Sequence, residues 1–237
     1  MILHTPHSST NTIGDIIHTQ SDMDNITDWF TDELYFHEFS ERVVFKYTRL
    51  DCDVERYRND EDEAMTKYGR SVVYTKGTQN NTIRKDNTAH SNYIKETYYD
   101  AHHNKLIQKI NIELSLFGAC TIVDCHSFPS DPLSESELDE LPDFCIGINT
   151  DNVPNCVDEI IGYIESTSHT VKINDPFSGS MIPSKFIADK KVKTIMIEIN
   201  KRLYIDDNII KINFEKYQNI INNVLGIIYK DELENEK

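Results

Sequence analysis

Residues 117–125 read FGACTIVDC, an apolar run whose centre, ACTIV, suits a strand covered on both faces. Just upstream, HNKLIQKINIELSL at 103–116 places Leu106, Ile107, Ile110 and Leu114 at helical spacing. Downstream, VKTIMIEIN at 192–200 is a second strand with β-branched residues at alternate positions. VVFKYTR at 43–49, FCIGI at 144–148 and HTVKI at 169–173 are shorter strand segments, and Ile2 and Leu3 begin one that stops at Pro6. Helices fall between them. Residues 27–39, TDWFTDELYFHEF, follow a Thr/Asp start that can cap a helix, and residues 156–166 carry Val157, Ile160, Ile161 and Ile164. Residues 213–229 carry an amphipathic stripe from Phe214 to Ile228 that reads as core packing. Strands alternating with helices predict an α/β protein with a mixed, mostly parallel sheet flanked by helices.

With 237 residues, 38% of them hydrophobic, residues 1–237 fit a single α/β domain. Residues 51–92 stand apart, charged and poor in apolar periodicity. They read either as an active-site loop or lid, or as a solvated surface excursion. SESELDE at 134–140 reads as a loop or short exposed helix, and the terminal KDELENEK as a frayed helix end. Twenty-four Lys and Arg against 40 Asp and Glu leave a net charge of -16, a field that repels nucleic acid and anionic membranes. No apolar run approaches the ~18 residues of a membrane helix, and MILHTPHSS has no basic leader, so the expected compartment is the cytoplasm. The five cysteines form no C-x-x-C pair and read as reduced thiols.

Ligands of open α/β sheets bind beyond the carboxyl ends of the strands. There the chain puts His7-Ser8-Ser9 after the first strand, Asp124-Cys125-His126-Ser127 after ACTIV, Glu198 and Asn200 on VKTIM, and Arg49 at the end of VVFKYT. Two histidines, carboxylates and an arginine at one edge suit a hydrolytic zinc site. Neutral imidazoles and a carboxylate hold Zn²⁺, and an unligated carboxylate such as Glu198 moves the proton. Asp124 can orient a ligand histidine. His102 and His103 are adjacent and cannot share one helical face.

PHSS at 6–9, TDWFTDELY at 27–35, YYDAHH at 98–103, DCHSFP at 124–129, PFSG at 176–179 and MIEINKRLY at 196–204 resemble the ordered motifs of N-formylglutamate amidohydrolases. The resemblance runs from residue 2 to about 206. It implies a phosphorylase/hydrolase-like fold, shared with zinc carboxypeptidases and zinc amidases, and hydrolysis of an N-acyl amino acid amide. It also implies zinc ligation by His7, His126 and a carboxylate from TDWFTDELY, Asp28 or Asp32, with Asp28 favoured. Glu198 becomes the general base, Arg49 a clamp for a substrate carboxylate, and His103 a substrate-positioning group. The expected substrate is a small acidic N-acyl amino acid. Two further readings stay open: a zinc amidase for another amide or peptide, and a metal-free binding protein on the same fold.

Overall fold

The structure is a computed structural model that describes residues 1–14, 17, 19–129, 141–206 and 208–235; the SESELDE segment lies outside them. Six strands form one sheet: β1 (Ile2–Thr5), β2 (Glu41–Val44), β3 (Cys120–Phe128), β4 (Phe144–Gly147), β5 (Val171–Ile173) and β6 (Val192–Asn200). Their order is β2-β1-β3-β6-β4-β5. Neighbours run parallel except β4, which is antiparallel to β6. This is the mixed, mostly parallel sheet expected.

Alternation along the strands sorts side chains to two covered faces. Leu3, Val123, Cys125, Ile195, Ile197 and Ile199 join one core cluster. It includes the apolar stripes of α5 (Val157–Ser166) and α6 (Phe214–Asn235). Ile2, Cys120, Ile122 and Val192 face the other way, against Leu106 and Ile110 of α4 (Asp100–Phe117). His126 and Glu198 lie on this second face, opposite each other in the β3–β6 register. Both sit inside strands rather than after them, because β3 continues to Phe128.

Three elements differ from expectation. The helix expected over 27–39 is reduced to α2 (Thr31–Leu34), preceded by α1 (Gln20–Ile26), which a Thr19–Asp22 capping box starts. Phe30 sits in the left-handed region at φ 60° and breaks the segment. Strand β2 ends at Val44 rather than running on to Arg49. The KDELENEK end is ordered helix through residue 235, and Glu232 is buried.

Residues 51–92 are not a solvated excursion. Cys52, Val54, Val72 and Val73 pack with Phe45, Ile94 and Tyr99, while Tyr74 and Ile83 pack with Met23 and Leu50. Asp22 fastens the segment, accepting hydrogen bonds from Thr78 N (2.7 Å) and Asn81 Nδ2 (3.0 Å). Its end runs into α3 (Thr88–Ile94), continuous through a π-helical turn, Lys95–Tyr99, with α4. All five cysteines are free and buried. Among the described residues no helix is long and apolar enough to cross a membrane.

One backbone approach holds a cavity wall in place. A Cβ on Gly147 would overlap the carbonyl oxygen of Gly179 and the Met196 methyl, so only glycine lets that loop lie against β4. Gly147→Ala is expected to cost about 1–3 kcal/mol and lower the melting temperature by roughly 2–12 °C. A thermal melt matching that of the unmodified protein would show that the loop is free to withdraw.

Candidate functional site

A cavity of about 920 Å³ opens at the carboxyl ends of β1, β3 and β6, with His7, Asp28, Arg49, His126 and Glu198 in its lining. Five of the six site residues named from sequence thus meet there. His103 does not line it: its Nε2 donates to the Val54 carbonyl (2.8 Å) and its ring stacks on Tyr99. Burial pushes the His103 pKa down to about 4, the ring of a neutral donor that braces the segment holding Glu55.

His7 follows β1 on the Pro6 turn, and its ring centroid lies 5.2 Å from that of His126 on β3. Asp28 enters from the turn between α1 and α2. Its N–H donates to the His7 carbonyl (3.0 Å), and the flanking Thr27 and Trp29 carbonyls accept from Lys201 Nζ (2.6 Å) and the Tyr204 hydroxyl (2.8 Å). Pinned in this way, Asp28 Oδ2 sits 2.9 Å from His126 Nδ1 and 3.8 Å from His7 Nδ1. Asp32 is only half-buried on α2 and makes no described side-chain contact with either imidazole.

The insertion supplies groups the sequence analysis missed. Asp53, fully buried, binds His7 Nε2 (2.9 Å) through Oδ1. Its Oδ2 accepts from Arg49 Nη2 (2.9 Å) and the Tyr74 hydroxyl (2.8 Å), with Arg56 Nε at 3.3 Å. Glu55 reaches both rings, with Oε2 3.4 Å from His7 Nδ1 and Oε1 3.1 Å from His126 Nε2. The alternation of apolar and acidic residues in Leu50-Asp51-Cys52-Asp53-Val54-Glu55 was the available signal, although the segment folds as turns and only Asp53 and Glu55 of its carboxylates reach the imidazoles. Asp124 binds His4 Nδ1 (2.7 Å) more closely than His126 Nε2 (3.4 Å), and His4 Nε2 pairs with His102 (2.8 Å).

The electrostatics favour a cation. Burial opposes charge on His126, yet Glu55, Asp124 and Asp28 raise its pKa well above the usual imidazole range. Burial would lift Asp28, but its hydrogen bond to His126 and the nearby His7 ring hold its carboxyl well below the carboxylate range. Glu198 differs: burial pushes it up to about 8 against the pull of His126, with Asp28 and Glu55 adding to the rise. Its Oε2 has no hydrogen-bond partner, nor has buried His7 Nδ1.

Those orphaned atoms test the site for a metal, and the donor set fits. Ligands on a tetrahedral ion with bonds of ~2.0–2.1 Å lie roughly 3.3 Å apart. The His7–Asp28, His126–Asp28 and His7–Glu55 separations of 3.8, 2.9 and 3.4 Å bracket that spacing. His7, Glu55 and His126 form one group able to hold a metal ion, and His4, Glu55 and Asp124 a second. Asp53 on His7 Nε2 supplies the carboxylate that orients a ligating imidazole and leaves Nδ1 facing the site.

Comparison with known proteins identifies the family and the fold. The N-formylglutamate amidohydrolase family matches residues 1–205. No curated protein matches the sequence. Among solved structures, N-formylglutamate amidohydrolase from Ralstonia eutropha JMP134 superposes with a TM-score of 0.83 at 19% identity, over 98% of this chain and 92% of that one. Gene product Atu2144 from Agrobacterium tumefaciens superposes with a TM-score of 0.71 at 18% identity, over 100% and 91%. At these identities the structures speak for the fold.

Proposed function

The chain belongs to the N-formylglutamate amidohydrolase family, and from that premise we propose that it hydrolyses the amide bond of an acidic N-acyl amino acid with a zinc ion held by His7, Asp28 and His126. The observation that carries this reading is the convergence of three side chains from distant parts of the chain, with Asp28 Oδ2 within 2.9 and 3.8 Å of the two imidazoles and a buried Glu198 in the same cavity. When bound, zinc supplies Lewis-acid polarisation of the scissile carbonyl and acidifies the attacking water.

The chain's own groups do the rest. Glu198 takes a proton from the attacking water as its oxygen bonds to the carbonyl carbon. As the C–N bond breaks, Glu198 returns that proton to the departing amine nitrogen. Arg49, with Nε and Nη2 already bonded to Asp53, lines the cavity together with Arg56. The two guanidiniums bind the substrate carboxylate. In a protein of net charge -16, they are the local charge an anionic substrate needs. Glu55 adds one oxygen beside His7 Nδ1 and the other on His126 Nε2, the nitrogen opposite the one that meets Asp28.

The test is a panel of N-formyl and N-acyl amino acids assayed with and without chelator. Turnover is expected to vanish with chelator and return on adding Zn²⁺. If no member of the panel shows chelator-sensitive turnover, the assignment fails.

A further inference from the structure

The geometry points to an apolar acyl-group subsite beside Glu198, built for an N-acyl chain larger than formyl. This rests on the amidohydrolase reading above and names the substrate class within it. The observation is an asymmetry across the cavity. On the β2 side, the insertion after that strand presents Arg49, Arg56 and Arg70. Toward β4, the loop before β6 is tied to Cys145 through the Phe177 carbonyl and sets the Phe177 ring against Phe128 at the end of β3, their centroids 5.6 Å apart; Met181 of that loop and Met196 of β6 line the same cavity. His7, after β1, and His126 and Glu198, on β3 and β6, lie between the arginine-bearing insertion that follows β2 and the Phe177 loop that lies on β4, because the sheet order is β2-β1-β3-β6-β4 at this edge. An amide spanning the centre therefore has its carboxylate-bearing half on the arginine side and its acyl half on the apolar side. The reverse placement would leave a carboxylate against phenylalanine and methionine without a donor, a costly burial.

The apolar wall is built in advance of any ligand. Cys145 Sγ donates to the Phe177 carbonyl (3.2 Å), and Asn174 Oδ1 accepts from Gly179 N (3.1 Å). Asn149 clasps Ser180 at both its N–H (3.1 Å) and its carbonyl (3.0 Å). Met181 N donates to Asp124 Oδ2 (3.0 Å), which ties the loop to the strand that carries His126. Gly147 lets the loop lie flat on β4. A wall held by this many bonds needs little ordering on binding, so apolar contact with it converts efficiently into affinity. The size agrees: about 920 Å³ lies near the upper end of the ~300–1,000 Å³ that enclose drug-sized ligands, and N-formylglutamate is far smaller.

The experiment compares N-formyl-, N-acetyl-, N-butanoyl-, N-hexanoyl- and N-benzoylglutamate on the zinc-loaded protein. Each methylene that enters the subsite is expected to raise kcat/KM about threefold to fourfold, so with two to three of its added carbons in contact N-hexanoylglutamate should exceed N-formylglutamate by about tenfold to sixtyfold. Phe177→Ser, on a partly exposed loop and checked by thermal melt, should shrink that hexanoyl-to-formyl ratio at least several-fold. A best rate on the formyl compound, or a flat series, overturns the subsite and leaves the hydrolase reading standing. Inertness of the whole panel overturns the hydrolase reading, and this inference with it.

Discussion

Glu198→Gln is expected to lower kcat by about 10²–10⁴-fold while the protein keeps its zinc and its melting temperature. The carboxyl is buried with Oε2 unpartnered, and burial raises its pKa to about 8. Without metal near neutral pH it is mostly the uncharged acid, so an uncharged amide of the same shape replaces it at little cost in stability. What the amide cannot do is accept a proton from water and hand it on. Kinetics on the best substrate, metal analysis and a thermal melt check the three parts together. A kcat within a few-fold of the unmodified enzyme would remove Glu198 from the proton pathway.

Zinc affinity should collapse in His126→Ala. The ring meets Asp28 at 2.9 Å and Glu55 at 3.1 Å, so its loss removes a donor and leaves two carboxylates facing each other with less positive charge between them. A carboxylate that merely orients a ligand contributes about 10–100-fold to metal affinity, so losing a ligand should cost at least ~100-fold. Competition with a chelating dye measures this directly. The same titration separates the two aspartates that the sequence left open. Asp28→Asn should weaken zinc binding comparably, whereas Asp32→Asn, on the half-buried α2, should leave it within a few-fold. Zinc retained by His126→Ala at full affinity would place the ion elsewhere.

The central strands and most of the site were legible because their chemistry is local. ACTIV and VKTIM are apolar, β-branched runs, and a run that ends in His126 or Glu198 marks the edge where such residues collect. What misled was polarity. Asp124, His126 and Ser127 were read as following the ACTIV strand, yet they are buried residues within it, and Asp124 and His126 offset their burial by pairing with His4 and Asp28. Phe30 falls inside the helix expected over 27–39, but its packing comes with a left-handed backbone. Asp53, Glu55 and Arg56 were hidden by the charge of their surroundings, since the tertiary contacts that bury Cys52 and Val54 leave little trace in composition. His103 shows the converse. A histidine beside a recognisable motif serves here as a brace for the backbone at Val54.

Asp53 has a consequence beyond its own bonds. One carboxylate is shared by His7, Arg49, Arg56 and Tyr74. Under the proposed function, the arginines that would bind the incoming acid and the imidazole that would hold the ion therefore draw on a common counter-charge. An engineer who swaps either arginine to admit an uncharged amino acid also alters how strongly Asp53 pulls on the His7 ring. Selectivity and metal retention in this scaffold are then inherited as a pair, and redesign of one has to rebalance the other.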